Sequence, residues 1–452
     1  LKKRKMYYST THLIMLSFLI VIILGSILLS LPISSARGDP VEYIDALFTA
    51  TTSVCVTGLV TLPTVTTWSI FGQVVILVLI QIGGLGIVTI VSAIMIGMNR
   101  RLGLKSRILL QDAFNLNSIS GVVVFLKKVV IGTFLVEGIG ALLYMTVFIP
   151  RYGVRGIWIS VFNSISAFCN AGIDVMSENS LCEYATNPMI NITTSMLVIL
   201  GGIGYVVWWD VIRVAKNFRS LKLKCFSRLF LHSKIALSAT GILLLAGAVL
   251  FFVFEYNNPL TLKDYSLFDK IQIAVFQSMT TRTAGFASIP QENLTNASSV
   301  VSLMLMFIGG SPVGTAGGVK TVTFVVVIFA ALSAIKNEDE VKMFSRGIEK
   351  TAISKAAAVI TVSFMIMFIS TVLLSAVSDA NILDIAYETV SATATVGLTR
   401  NFTPSLNIWG KIIIITTMYL GRVGPISLLI AFNLKMKKKN IITVPVEQIS
   451  IG

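Results

Sequence analysis

Gly58, Gly172, Gly285 and Gly397 stand 114, 113 and 112 residues apart. Each closes a short segment: Val56-Thr57-Gly58, Asn170-Ala171-Gly172, Thr283-Ala284-Gly285 and Thr395-Val396-Gly397. Glycine reaches positive φ without a steric penalty, as a loop requires if it is to turn successive carbonyl oxygens toward an axis. A ring of such oxygens can take the place of water around a desolvating monovalent cation. The side chains need not coordinate, which suits the mixed residues ahead of the glycines. A single glycine of this kind reads as helix packing, whereas four in register read as one unit copied four times around an axis.

The elements that position these loops follow the same period. Eight apolar runs, near 12–31, 69–98, 128–149, 188–212, 235–254, 298–335, 353–377 and 406–432, approach or exceed the ~20 residues that cross a bilayer. The first has no small-residue cleavage site and reads as a span, not a removed leader. Between the spans of each pair lies a segment too short to cross: about 43–53, 158–168, 268–280 and 383–393. At ~1.5 Å per residue such helices dip in and return. Irregular return loops survive at membrane depth only where protein or a water-filled cavity surrounds them. Their C-terminal ends, carrying partial negative charge, would favour a cation at the membrane centre. An aromatic marks the register: Phe48, Phe162 and Tyr387 stand ten residues before their glycine, and Phe276 nine before. The units divide as 1–99, 100–214, 215–336 and 337–434, followed by a tail over 435–452.

Composition agrees with this reading. Hydrophobic residues are 55% and charged residues 13% of the 452, where a soluble domain carries roughly 25% charged. The net charge of +15 would suit nucleic acid, but its placement argues otherwise. Lys2–Lys5, Arg100–Lys128, Arg213–Lys234, Lys336–Lys355 and Lys435–Lys439 hold 26 of the 36 cationic residues. These blocks occupy both ends and alternate loops, so both termini are expected in the cytoplasm of a multi-pass plasma-membrane protein lying among anionic lipid headgroups. Asp39, Glu42, Asp45, Asp174, Glu178, Glu183, Asp264, Asp269 and Glu292 fall on the opposite side. Cys55 and Cys169 sit three residues before their glycines as packing residues. Cys182 and Cys225 lie on opposite sides of the membrane, so metal or redox chemistry is not expected.

A second glycine follows each loop glycine by 24 to 29 residues: Gly83, Gly201, Gly309 and Gly421. Three begin Gly-Gly pairs, whereas the fourth reads Gly421-Arg422. An arginine at the middle of a span costs about 2.5–3.5 kcal/mol by insertion scales. Arg422 is therefore expected beside the axis beneath the loops, as a barrier to cations. The third second span carries Gly309, Gly310, Ser311, Pro312, Val313, Gly314, Thr315, Ala316, Gly317, Gly318 and Lys320, which cannot continue a helix. It is expected to be the one broken span. Lys320 is expected to face an internal carboxylate or the cavity. Arg282 is expected to tie the loop backbone or an outer carboxylate, Asp384 or Glu388.

The segments Val54–Leu59, Phe168–Gly172, Thr280–Phe286 and Ala392–Leu398 resemble the four filter loops of the Trk/Ktr/HKT cation transporters. Thr281-Arg-Thr-Ala-Gly-Phe286 and Gly421-Arg-Val-Gly-Pro425 are the most distinctive pieces. The likeness covers essentially the whole chain and is greatest to the KtrB-type potassium-translocating subunits. It implies an all-α membrane protein of four span–pore helix–span repeats about a pseudo-fourfold axis, related to potassium channels. It implies that Gly58 goes with potassium over sodium, that residues 309–320 form an intramembrane gate loop, and that Arg422 lies near it. It further implies a homodimer on a cytosolic KtrA-like ring that binds adenine nucleotide; this chain itself would bind no cofactor, with potassium as substrate. The basic loops 213–234 and 336–355 and the C-terminal tail are candidate docking surfaces. Sodium enters as a coupled ion or as an activator only, a choice the sequence leaves open. The competing readings are an alternating-access carrier, against which four same-way repeats with one broken helix argue, and a membrane enzyme, for which no nucleophile–base pair is present.

Overall fold

The computed structural model describes residues 10–98, 103–113, 120–217, 225–338 and 340–424. The expectations for Lys2–Lys5, Arg100 and the tail 435–452 lie outside these residues. The described chain is mostly helical, with one small hairpin pairing Lys342–Met343 with Arg346–Gly347.

Four helices lead into the short ones: Thr10–Leu29, Val122–Tyr152, Leu231–Glu255 and Lys350–Val377. The short helices are Tyr43–Cys55, Arg155–Cys169, Leu267–Thr280 and Ile382–Ala394. His12–Leu29, Leu231–Glu255 and Lys350–Val377 are by length and composition able to cross a membrane. The aromatics that mark the register, Phe48, Phe162, Phe276 and Tyr387, are all fully buried.

The helices that follow the loops begin on side-chain caps. Ser69 accepts from Gly72 N, Asn187 from Met189 N and Ile190 N, Thr295 from Ser298 N, and Asn407 from Gly410 N. Such caps satisfy N–H groups that a helix start leaves open. Here the structure corrects the expectation of a single broken span. Ile70–Leu85 and Ile87–Gly97 meet at 98°, and Pro188–Gly202 and Tyr205–Ala215 at 100°. The bends fall at Gly86 (φ 84°, ψ 137°) and Gly204 (φ 92°, ψ 137°), conformations open to a residue without a Cβ. Gly424 ends Ile408–Val423 in the same way (φ 87°, ψ 143°). The third is interrupted as expected, with Asn296–Phe307 and Thr321–Ile335 separated by the glycine-rich insert.

Each short helix packs against its own leading helix and also against the second span of the preceding unit. Tyr43–Cys55 leans on Ile408–Val423, Arg155–Cys169 on Ile70–Leu85, Leu267–Thr280 on Pro188–Gly202, and Ile382–Ala394 on Asn296–Phe307. The four contacts close a cycle.

Candidate functional site

All four short helices run into a left-handed turn. Val56 (φ 55°), Asn170 (φ 60°), Thr283 (φ 63°) and Thr395 (φ 50°) have positive φ, as do Gly58, Gly172, Gly285 and Gly397, while the residue between does not. Alternation of this kind brings successive peptide groups to one side of the chain. The sequence reading assigned positive φ to the glycines alone. Three of the additional positions carry β-branched side chains, each costing of order 1–3 kcal/mol.

Hydrogen bonds hold these turns. Thr57 N donates to Thr52 O, Ala171 N to Ser166 O and Val396 N to Ser391 O, each at 2.8 Å, closing the helix ends. A hydroxyl near the end of each short helix reinforces the loop. Thr52 Oγ1 accepts from Gly58 N and Ser391 Oγ from Gly397 N, both at 3.0 Å. Ser166 Oγ accepts from Ile173 N at 3.1 Å, and Thr280 Oγ1 donates to Phe286 O at 2.5 Å. Sequence reasoning passed over these four residues, although their spacing was a signal. Three stand six residues before their glycine, and Thr280 stands five before, matching the one-residue slip of Phe276.

The loops meet one another. A carbon added to Gly58 as a side chain would lie 2.5 Å from Ala171 O, one on Gly172 2.7 Å from Ala284 O, and one on Gly285 2.5 Å from Val396 O. On Gly397 it would strike Thr57 O. The carbonyl just ahead of each glycine therefore leans on the glycine of the adjacent loop, and the ring closes. On the glycine side lies a cavity of about 260 Å³ bounded by all four glycines and by Asp174, Glu178 and Glu292. Burial pushes the Asp174 carboxyl up to about 6, against lowering by hydrogen bonds from Ser180 and from the backbone at Met176 and Ser177.

The opposite face of the ring is covered by the insert. Its ends are clipped together, Gly309 N donating to Val319 O at 2.9 Å and Thr321 N to Gly310 O at 3.0 Å. Its middle crosses to the second and fourth units. Ser311 N donates to Gly202 O at 2.8 Å, and Thr315 Oγ1 lies 2.9 Å from Phe168 O and 3.0 Å from Asn170 Oδ1. Gly317 abuts Thr395 so closely that no side chain fits there. Arg422 closes the group, with Nη1 donating to Thr315 O at 2.7 Å and Nη2 to Gly83 O at 2.5 Å. Both of its terminal nitrogens are thus committed to carbonyls of the insert and of the first second span.

Other expectations change. Lys320 Nζ finds no carboxylate; it donates to Ala316 O and Gly317 O within its own insert. The two carbonyls lie four and three residues back along the chain, within reach of the ammonium. Arg282 reaches neither Asp384 nor Glu388. It is buried and donates to Gly309 O at 3.0 Å and Thr240 O at 3.4 Å, tying the third loop to the root of the insert. Asp384 pairs with Arg400 at 2.7 Å, and Glu388 accepts from Thr399 and Thr403. The second-span glycines Gly83, Gly201 and Gly421 pack under Val54 O, Phe168 O and Thr393 O, while Gly309 meets Gly317 O of the insert instead. A buried carboxyl that the sequence reading did not single out, Glu137, sits within a leading helix and accepts from Gln81 Nε2 at 3.1 Å.

Helices of membrane-crossing length, four short helices whose loops share one cavity, and an insert drawn across the other face of those loops describe a multi-pass helical membrane protein. The family model described as TrkH, cation transport protein, matches residues 3–443, and the chain belongs to that family. It is 39% identical to the Ktr system potassium uptake protein B of Bacillus subtilis, over 96% of this chain and 95% of that one. Identity to the potassium/sodium uptake protein NtpJ of Enterococcus hirae is 37%, over 97% and 95%. Identity to the Ktr system potassium uptake protein B of Vibrio alginolyticus is 34%, over 100% and 97%. The potassium transporter TrkH from Vibrio parahaemolyticus shares the fold, with a TM-score of 0.72 at 16% identity, covering 95% of this chain and 86% of that one. These relatives are transport proteins, not enzymes.

Proposed function

We propose that this chain takes potassium into the cell across the bacterial plasma membrane, through a gated pore whose filter is the ring of glycine loops. The closed cycle in which each loop's carbonyl leans on the next loop's glycine carries the reading. Carbonyls of Val56, Thr57, Asn170, Ala171, Thr283, Ala284, Thr395 and Val396 and of the four glycines line the path, aided by the converging negative ends of four helices. Asp174, Glu178 and Glu292 raise the local cation concentration at the mouth. Residues 309–318, Lys320 and Arg422 form the gate, a reading supported by the contacts of Thr315 with Phe168 O and Asn170 and of Gly317 with Thr395. Control comes from a cytosolic, nucleotide-binding subunit docked on the basic loops of a homodimer. The designation of two relatives as protein B of a Ktr system supports a multi-component assembly.

Broken second spans in three units remove the argument that only one helix is interrupted. The pore reading rests instead on four unbroken leading helices and on loops that all meet at a single point. A carrier built on paired inverted halves has no need of four hairpins converging in one cycle. Rubidium uptake in a potassium-uptake-deficient bacterium tests the proposal. Uptake should depend on this chain and rise when the regulatory subunit is present. Uptake that saturates with fixed stoichiometric coupling to a second ion would point to a carrier.

A further inference from the structure

A pocket of about 560 Å³ lies away from the ion path, at the start of the membrane-length helix Leu231–Glu255. Arg213, Arg228 and Arg346 line it, brought from a bent second span, a helical turn and the small hairpin. The pocket is built. Buried Asp210 accepts from Arg213 Nη2 at 2.6 Å and from Phe230 N at 2.8 Å, and Arg213 also donates to Arg228 O at 3.1 Å. The Arg213 guanidinium stacks 4.1 Å over the Phe230 ring. Asp210 offsets one of the three charges. Arg228 and Arg346 have no acidic partner among the described residues, leaving a concave site with about two uncompensated positive charges.

Its rim is apolar. Phe226, Phe230 and Phe344 are half-exposed, with Phe226 and Phe344 edge to face at 6.0 Å. Arginine forks beside exposed phenylalanines, at the end of a spanning helix, match the level where phosphate headgroups meet acyl chains. We propose that this pocket binds the phosphate group of an anionic phospholipid. A soluble acidic partner would account for the arginines but gains nothing from the apolar area that Phe226, Phe230 and Phe344 each leave about half exposed. The regulatory subunit would then dock on the remaining basic surface of these loops.

The full-length protein, purified with and without its regulatory subunit, is titrated with phosphatidylglycerol and its bound lipid counted by native mass spectrometry. The double substitution Arg228→Gln/Arg346→Gln should weaken phosphatidylglycerol binding roughly thirtyfold, about fivefold per guanidinium. Lys342→Gln, on the same hairpin but paired with Glu340, should leave it unchanged. Equal retention of phosphatidylcholine, displacement of the lipid by inorganic phosphate at millimolar concentration, or its displacement by the regulatory subunit would each overturn the lipid assignment. Rubidium uptake in phosphatidylcholine vesicles reports separately on the pore.

Discussion

Arg422 donates to the carbonyl of Thr315 at 2.7 Å, joining the fourth second span to the insert of the third. Its other nitrogen holds Gly83 O on the first second span, so one guanidinium bridges three units. Charge-assisted bonds of this kind contribute about 1.5–3 kcal/mol each. Their loss frees the insert, and Arg422→Ala should raise rubidium flux without the regulatory subunit by about tenfold or more. The measurement is uptake into proteoliposomes, and a flux unaltered or abolished in correctly assembled protein contradicts a barrier role.

Removal of residues 311–317 takes away the backbone donors of Ser311 and Thr315 to Gly202 and Gly201. The clipped ends at Gly309 and Val319 remain to close the shortened loop. The variant should leak constitutively. If the regulatory subunit still switches it fully, the insert is not the gate.

Gly58 combines φ 97° with an adjacent-loop oxygen 2.5 Å from where a Cβ would stand. Gly58→Ser must displace Ala171 O and so alter the ring's spacing. Discrimination of rubidium over sodium in competition assays should fall by about tenfold, one step of ~1.4 kcal/mol. Unchanged selectivity would refute the filter assignment.

Ser391→Ala removes the acceptor of the Gly397 N–H while leaving every carbonyl in place. An unsatisfied buried donor costs about 1–3 kcal/mol. Selectivity should decline with expression and assembly retained, and Thr52→Ala should behave alike at Gly58. Wild-type selectivity in both would reduce these hydroxyls to packing.

Asp174 is raised to about 6 by burial, so it is charged above and neutral below that pH. The native state binds this proton more tightly than the unfolded chain does, so its contribution to stability falls as pH rises from about 4 to 6. Function runs the other way, since the charged form attracts cations. The apparent KM for rubidium should increase as external pH drops from 7.5 to 5. Asp174→Asn should show a high KM and a flat profile at this site, with thermal stability at pH 7.5 equal to or above wild type. A pH response surviving in that variant would assign the effect elsewhere.

Sequence alone disclosed the period of the four glycines, the short helices ahead of them and the aromatic that marks each register, because these depend on local constraints: a residue without a Cβ and a length too short to cross. It also marked the insert at 309–320, since glycine and proline there disallow a helix whatever surrounds them. Tertiary structure decided the rest. That the carbonyl ahead of each loop glycine leans on the glycine of the adjacent loop joins residues more than a hundred positions apart. That Arg282 takes the backbone oxygens of Thr240 and Gly309 in place of an outer carboxylate, and that a second span bends at Gly204 where Tyr205 N meets Val313 O, depend on groups brought from distant parts of the chain. A charged side chain inside a membrane protein takes whichever acceptor packing delivers, and no spacing along the chain records that choice.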